Sequence, residues 1–488
     1  MPRLSDETVG KLAPTIRRPA YDRASVTAGI VHLGVGAFHR AHQAVFTDDC
    51  LAAGELDWGI TAASLRSPAT RDALAPQDGL YTLALRSATE ELRVVGSIGR
   101  VLVAPENPAA LLKTMTAATT RIVSLTITEK GYGVDASGAL RRDDPDIAHD
   151  LVNPQTPRTA LGFLVEALAC RRAAGLAPFT VLSCDNLSQN GHVVHRALTA
   201  FARARDEDLG AYVAGEVVCP SCMVDRIVPA TTDADRAAVS ASLGVRDAWP
   251  VLAEPFFQWV IEDRFPMGRP GWDRAGVEFA TDVAPYEAMK LRLLNGAHST
   301  LAAMGRLAGH ATVAEAMADP VIRAFVRAYW AQVAPTVPAH IDVAAYTARL
   351  EVRFDNVALQ HKLAQIATDA SQKVPPRILG PLREVRARHA PHGALVLAIA
   401  AWMRSCEGVD DAGGVLPMTD PVLAGWAGRP ASTMPAAEAV RCWLNYAPVF
   451  GTDLAEDDEL AADLTRALVA LRDRGAISVA SAWLGSLR

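Results

Sequence analysis

One lysine, one asparagine and one histidine stand close together in the chain, as Lys290-x4-Asn295-x2-His298. If this segment is a regular α-helix with about 100° per residue, His298 lies about 80° and Asn295 about 140° around the axis from Lys290. All three side chains would then point into one cleft. A lysine, an amide donor and an imidazole are what a metal-free enzyme needs to handle the proton and oxygen of an alcohol-to-ketone reaction. The alternative is a solvated helix face, against which the mostly apolar flanking residues argue.

A glycine-containing turn upstream indicates a nucleotide cofactor. A short apolar run, residues 29–37, ends in two glycines and is followed by a helical pattern from Phe38 to Ala53. The first glycine permits a tight turn, and the second lets backbone amides approach a pyrophosphate at the helix N-terminus. His39 stands where the dinucleotide pattern has its third glycine, which predicts a bulkier contact between helix and strand. The candidate cofactor-binding residues of this turn are Gly34, Gly36, Ala37 and Phe38.

The end of the next predicted strand bears on which cofactor is bound. Rossmann-type sheets usually place an Asp or Glu there to bind the adenosine ribose, whereas this chain has Ser64-Leu-Arg-Ser67. Arg66 could bind a 2′-phosphate or stack on the adenine as a solvated residue, and both interpretations stay open. We therefore expect NAD as the cofactor and keep NADP as the alternative.

The elements that must position these residues fall into two domains. Apolar runs that have the character of buried strands alternate with helical stretches in the first part of the chain, at 29–37, 58–65, 121–127 and 179–184. This alternation predicts a Rossmann-like α/β domain with a doubly wound parallel sheet over residues 1–285. Helical periodicity dominates afterwards, so residues 286–488 are predicted to form an all-helical domain whose first helix carries Lys290.

The composition excludes several classes of protein. The chain has 488 residues, a net charge of −6 and 50% hydrophobic residues, and it lacks a basic signature for nucleic acid or a membrane surface. The apolar run 394–402 is far shorter than the roughly 20 residues that span a bilayer, and the N-terminus has no apolar signal core. We expect a cytoplasmic protein that binds small molecules, as a monomer or small homo-oligomer.

The seven cysteines are scattered, and one pair has a C-x-x-C spacing, Cys219-Pro-Ser-Cys222. That pair closes a strand-like run beginning at Gly215, and no other Cys/His pair has the spacing of metal ligands. We therefore predict structural thiols and no metal site.

Three polar segments are predicted to follow strands, where open α/β sheets bind their ligands. They are Thr128-Glu-Lys-Gly-Tyr132, Ser183-Cys-Asp-Asn186 and Met223-Val-Asp-Arg226. Each alone would be an ordinary polar loop. Asp185 or Asn186 could equally cap the helix predicted to begin after Gly191.

Together, these segments resemble the long-chain, zinc-independent polyol dehydrogenases, the family of mannitol 2-dehydrogenase and fructuronate reductase (D-mannonate oxidoreductase). The resemblance covers nearly the whole chain and has the K-x4-N-x2-H motif as its catalytic signature. The other matching segments are Gly34-x-Gly36-x-Phe38-His39-Arg40-Ala41-His42, Asp78-Gly-Leu-Tyr-Thr82, the three polar segments above, Glu254-Pro255, Gln258-Trp-Val260 and Glu262-Asp263. It implies a Rossmann-type domain followed by a helical domain.

The resemblance also implies catalytic roles. Lys290 would be the general acid/base, with a pKa depressed by burial or by the positive nicotinamide. Asn186 and Asn295 would donate amide hydrogens to the developing alkoxide, and His298 would orient the substrate oxygens. Hydride would pass directly between the cofactor and an open-chain sugar. The remaining residues implied are Asp225 and Arg226 for substrate binding and Glu129 and Glu287 for the path of the proton to solvent.

The substrate is predicted from the stretch Asp369-Ala-Ser-Gln-Lys-Val-Pro-Pro-Arg377, which resembles the uronate-reductase branch. Lys373 and Arg377 would flank a stiff Pro-Pro turn and bind the carboxylate of fructuronate; alternatively, both are surface or helix-capping cations. The mannitol branch has Arg where Gln365 stands here. We expect a D-fructuronate reductase, with a mannitol, arabinitol or sorbitol dehydrogenase as the alternative and a catalytically inactive sugar-binding protein as the non-enzymatic one.

Overall fold

The structure is a computed structural model that describes residues 1–135 and 138–487. It divides into two compact units, Met1–Ala284 and Pro285–Arg488. The first unit contains eleven strands among its described residues: β1 Ala28–Leu33, β2 Gly59–Ser64, β3 Tyr81–Arg86, β4 Glu90–Val95, β5 Ile98–Val103, β6 Ile122–Leu125, β7 Thr180–Ser183, β8 Cys222–Asp225, β9 Val251–Ala253, β10 Gln258–Glu262 and β11 Glu278–Ala280.

Five of these strands form a parallel sheet in the order β5-β2-β1-β6-β7. The central strand β1 places Leu33 beside Ala63 of β2 and Leu125 of β6, so the carboxyl ends of the strands share one edge. The strands are apolar and almost wholly buried, as expected where both faces of a parallel sheet are covered. The predicted Rossmann-like sheet is confirmed.

Ten α-helices accompany the strands within the described part of the first unit: α1 Asp6–Val9, α2 Ala37–Ala41, α3 Gln43–Ala52, α4 Ala69–Leu74, α5 Pro108–Thr116, α6 Pro145–Val152, α7 Ala160–Ala173, α8 Asn190–Arg205, α9 Glu207–Glu216 and α10 Asp233–Leu243. The single helix predicted after the glycine turn is interrupted at His42, which has φ −128° and ψ −101°. His39 stacks on His32 of β1 with 3.4 Å between ring centroids, so the predicted bulkier contact is confirmed.

Two smaller sheets, β4-β3-β9 and β11-β10-β8, complete the first unit. The strand-like run predicted to begin at Gly215 is wrong, because Gly215 lies in the last turn of α9. Cys219 lies beyond that helix, Cys222 begins β8, and both thiols are buried and unbonded to each other. In residues 1–135 and 138–487, no helix is long and apolar enough to cross a membrane.

The second unit is helical, as predicted. Its α-helices are α11 Ala284–Met289, α12 Gly296–Leu307, α13 Val313–Ala318, α14 Pro320–Val333, α15 Val343–Phe354, α16 Leu363–Ile366, α17 Ala370–Val374, α18 Gly380–Ala387, α19 Gly393–Ser405, α20 Pro421–Ala424, α21 Ala436–Leu444, α22 Ala447–Phe450, α23 Asp458–Arg474 and α24 Ala476–Gly485.

Two long helices of this unit contain a π-helical segment, with hydrogen bonds from residue i+5 to residue i. Lys290–Asn295 joins α11 to α12, and Pro375–Leu379 joins α17 to α18. The angles calculated above for a regular helix are therefore wrong, since a π turn contains more residues. The predicted Pro-Pro turn is also wrong: both prolines lie within a continuing helix, whose wider π turn accommodates rings that would clash in a regular one.

Candidate active site

The predicted cofactor turn has the geometry that its glycines suggested. Gly34 has φ +97°, and a Cβ there would lie 2.1 Å from the Thr126 carbonyl oxygen, so only glycine is accommodated. Gly36, with φ −80°, directly precedes the first residue of α2. The atom nearest to a Cβ added at Gly36 would be 3.8 Å away. Gly36 therefore leaves free space at the turn. Ala37 and Phe38 are the first two residues of α2.

A cleft of about 1020 Å³ opens beside this turn at the carboxyl edge of the parallel sheet. Gly34, Gly36 and Arg66 line it, and Arg66 is exposed just after β2. The turn after β2 is closed by Ser64, whose hydroxyl donates to the Ser67 carbonyl at 2.6 Å. The cleft is large enough to hold a dinucleotide. Its charged lining is mixed, with the basic side chains Arg66, Lys130, His149 and Arg158 and the acidic side chains Asp144 and Asp146.

Asp185, just after β7, fixes the loop that forms one side of this cleft. Its carboxylate accepts from the backbone N–H groups of Ile127 (3.1 Å) and Thr128 (2.9 Å) and from the Tyr132 hydroxyl (2.6 Å). Thr128 has φ +64°, a strained value for a β-branched residue that these bonds offset. The predicted helix-capping role is wrong, because α8 begins at Asn190. The only sequence signal for this loop-holding role was an acid at a strand end.

Asn186 and Glu129 flank these interactions, and both side chains are exposed. The segment around Asp225 is itself strand β8, which pairs antiparallel with β10 and places Asp225 opposite Gln258. Both Asp225 and Arg226 are buried.

Arg226 uses most of its guanidinium for backbone contacts. Its Nη1 donates to the Ala41 carbonyl at 2.6 Å, and its Nε and Nη2 donate to the Glu254 carbonyl at 3.0 and 2.9 Å. Burial lowers the pKa of Arg226 to about 10. These bonds tie β8 to the end of α2 and to the segment after β9, a structural contribution that the sequence did not indicate.

In the second unit, Lys290 begins the first π segment, Asn295 ends it, and His298 lies in the first turn of α12. Lys290 and His298 are buried, whereas Asn295 is partly exposed. Glu287 lies three residues before Lys290 and is partly buried. The motif is therefore presented on an irregular part of the helix, where π turns are often found at functional sites.

Two aromatic residues of α14 bond to carbonyls of this π segment. The Trp330 indole N–H donates to the Leu293 carbonyl at 2.9 Å, and the Tyr329 hydroxyl lies 3.2 Å from the Arg292 carbonyl. The same hydroxyl lies 3.2 Å from the Arg377 carbonyl in the second π segment. One buried tyrosine thus joins the two π segments, a positioning role that the sequence did not reveal.

The two π segments and Tyr329 can approach one another closely because α12 begins with a glycine. A Cβ on Gly296 would lie 2.0 Å from the Tyr329 hydroxyl and 3.1 Å from the Arg377 carbonyl oxygen. An alanine at this position would therefore displace both partners.

A cluster of basic groups surrounds His298. Its ring centroid lies 4.9 Å from that of Phe354 and 5.0 Å from that of His361. Burial, and then His361, Arg353, Arg377 and Lys290, hold the pKa of His298 well below its usual value. Of these neighbours, Arg353 and Arg377 bring positively charged guanidinium groups towards His298, whereas the ring of His361 is neutral at pH 7.

Arg377 is partly buried in this cluster, and its Nη1 donates to the Ser299 hydroxyl at 3.2 Å. Burial lowers the pKa of its guanidinium to about 10. Lys373 behaves differently, because its Nζ donates to the carbonyls of Ile366, at 3.2 Å, and Thr368. Of the two alternatives for Lys373, the structure gives the helix-capping contacts after α16.

No three His, Cys, Asp or Glu side chains are grouped to hold a metal ion within residues 1–135 and 138–487. The metal-free reaction stays a prediction.

Comparison with known proteins identifies the family. Residues 28–274 match the mannitol dehydrogenase Rossmann domain, and residues 282–472 match the mannitol dehydrogenase C-terminal domain. The chain belongs to the mannitol dehydrogenase family. The resemblance predicted from the sequence is confirmed, and with it the class of the protein, an oxidoreductase that acts on CH–OH groups.

Relatives within the family differ in their substrates. The chain is 43% identical to D-mannonate oxidoreductase of Escherichia coli over 94% of its length and 96% of the relative's. It is 42% identical to mannitol 2-dehydrogenase of Cereibacter sphaeroides over 97% of its length and 99% of the relative's. A solved structure, Pseudomonas fluorescens mannitol 2-dehydrogenase in a ternary complex with NAD and D-mannitol, shares 40% identity, covers 99% of both chains and has a TM-score of 0.83. Because these identities are so similar, they do not indicate the substrate, which has to be inferred from the residues of the site.

Proposed function

We propose that this mannitol dehydrogenase family member is an NAD-dependent enzyme that interconverts D-mannonate and D-fructuronate. The observation that carries this proposal is the guanidinium of Arg377, which is partly buried and has the uncharged Ser299 hydroxyl as the partner of its Nη1 at 3.2 Å. A carboxylate offers the negative charge that would offset this buried positive charge. A neutral polyol offers only hydroxyl groups.

Lys290 is the proposed general acid/base. Its Nζ takes the proton of the substrate hydroxyl during oxidation and returns it to the carbonyl oxygen during reduction. Asn295 and Asn186 donate amide hydrogens to that oxygen as negative charge develops on it, and His298 orients the neighbouring hydroxyl. Bound NAD supplies the hydride acceptor. Glu129 and Glu287 are proposed to pass the Lys290 proton to solvent.

For the cofactor, we propose that Gly34 and Gly36 allow the pyrophosphate to approach the backbone at the start of α2. NADP is the alternative, because Arg66 is exposed in the cleft and could bind a 2′-phosphate.

A neutral polyol or ketose is the second candidate substrate. The observation that favours it is the position of the Lys373 ammonium, which bonds two backbone carbonyls instead of supplying a second cation for a carboxylate. We therefore assign carboxylate binding to Arg377 and a structural role to Lys373.

The test is the oxidation of NADH, and separately of NADPH, with D-fructuronate or D-fructose as the second substrate. Turnover of D-fructuronate with a kcat/KM at least about 100-fold above that for D-fructose would support the proposal. Preference for D-fructose would refute it and favour the polyol alternative. Lys290→Met is the matched control: it should lose at least about 10³-fold in kcat while still binding substrate, whereas an unchanged rate would remove Lys290 from catalysis.

A further inference from the structure

His361 lies against His298 and has no role in the mechanism above. It occupies the loop before α16, and the backbone holds it on both sides. The His361 carbonyl accepts from the Val313 N–H at 3.0 Å, and the Leu363 N–H donates to the Ala311 carbonyl at 3.0 Å. This short bridge to the start of α13 fixes the position of the His361 backbone.

The two imidazoles meet edge to face, with 5.0 Å between centroids and 86° between planes. The Nε2 atom of His298 is buried and has no hydrogen-bond partner among the described residues. A buried polar atom in this state costs free energy unless a ligand completes it. The Nε2 of His298, next to the ring of His361, is therefore a position that a bound ligand would complete.

The surroundings of His361 indicate what that ligand is. Burial and then Arg353 lower the pKa of His361 to about 4, so its ring is neutral at pH 7 and carries one N–H donor. Arg353 immediately precedes Phe354, whose ring contacts His298. Near His298, the neutral ring of His361 supplies an N–H donor, and Arg377, which donates to the uncharged Ser299 hydroxyl, supplies positive charge. A ligand that matches them accepts several hydrogen bonds and is negatively charged.

We propose that His361 is a specificity-determining residue that donates its N–H to the carboxylate of the sugar acid, a group that the guanidinium of Arg377 also binds. A carboxylate only accepts hydrogen bonds and has about four acceptor positions, so it can take donors from both residues. The terminal CH₂OH of a polyol carries no charge to attract them. This inference rests on the proposed function and adds to it the residue that separates acids from neutral substrates.

The experiment compares His361→Phe with wild type, using D-mannonate and D-mannitol as substrates with NAD. Phenylalanine keeps the ring contact with His298 and removes the N–H. We expect KM for D-mannonate to rise by about 10- to 100-fold, kcat to stay within about threefold, and KM for D-mannitol to stay unchanged. His361→Gln, which retains an N–H donor, should have a KM for D-mannonate close to that of wild type.

His310→Phe is the matched control, because His310 lies after α12 near Asp319 and makes no ring contact with the His298 cluster. It should leave both KM values unchanged. If His361→Phe does not fold, His361→Leu replaces it. Equal KM changes for both substrates, or none, would overturn the inference while the proposed function stands. A wild type that oxidises D-mannitol and not D-mannonate would overturn the proposed function and this inference with it.

Discussion

Replacing Arg377 with methionine should make the protein more stable and a poorer enzyme for acidic substrates. The guanidinium is held partly out of water, and burial lowers its pKa from 12.5 to about 10. At about 1.4 kcal/mol for each tenfold change in proton affinity, keeping this charge costs the folded protein about 3 kcal/mol. The bond to the Ser299 hydroxyl returns about 1 kcal/mol.

Methionine occupies a similar length without the charge, so the free energy of unfolding of Arg377→Met should rise by about 2 kcal/mol at pH 7. The same substitution removes a charge-assisted hydrogen bond to the substrate carboxylate, worth about 1.5–3 kcal/mol. KM for D-mannonate should therefore rise by about 10- to 150-fold. KM for a neutral polyol should change by less than about threefold.

Urea unfolding without ligand measures the change in the free energy of unfolding, and steady-state kinetics with both substrates measures the changes in KM. Arg466→Met is a suitable control, since Arg466 on α23 is exposed and pairs with Asp463 at the surface. That variant should change stability by less than about 1 kcal/mol and leave both KM values unchanged. An Arg377→Met protein less stable than wild type would show that the charge is already compensated, and the basis for an anionic substrate would fail.

Three further predictions concern the framework. Gly34→Ala should lose about 2–5 kcal/mol in unfolding free energy because of the clash with Thr126. Gly36→Ala should fold normally but bind NADH at least about tenfold more weakly by calorimetry. A destabilised Gly36→Ala together with a stable Gly34→Ala would refute the roles assigned to the two glycines. Tyr329→Phe should cost about 1–3 kcal/mol in thermal or urea unfolding, since it removes the donor between the π segments; an unchanged stability would refute that bridge. The folded pKa of His361, about 4, lies below its ordinary 6.5, so stability should be lost as pH falls through that range. Between pH 6.5 and pH 4, His361→Asn should lose less unfolding free energy than wild type, by at most about 3 kcal/mol. Equal losses in the two proteins would contradict this prediction.

The sequence predicted the parallel sheet and the glycine turn because both depend on local patterns. Strands buried on two faces appear as short apolar runs, such as 121–127, and a tight turn requires glycine at the position of Gly34. The helical second unit was equally visible from its periodicity. These features need no knowledge of distant partners.

The contacts that assign roles to cations were not predictable in this way. Arg226 and Lys373 were predicted to bind the substrate, and the sequence did not show that both donate to backbone carbonyls of other segments. The π segments were equally hidden, since their carbonyls bond to Tyr329 and Trp330, more than 30 positions along the chain. A side chain whose partner is a distant backbone group leaves no periodic signal in the sequence.

The two π segments connect proton transfer and substrate recognition within the second unit. One bears Lys290 and Asn295, the other bears Arg377, and the Tyr329 hydroxyl lies 3.2 Å from a carbonyl of each. A hydroxyl has one hydrogen, so a shift that strengthens its bond to one carbonyl weakens its bond to the other. Binding that pulls on Arg377 therefore acts on the segment that holds Lys290. For this reason, substrates that bind Arg377 differently should differ in kcat as well as in KM with the wild-type enzyme. With Tyr329→Phe, which lacks the hydroxyl, the same substrates should differ in KM alone.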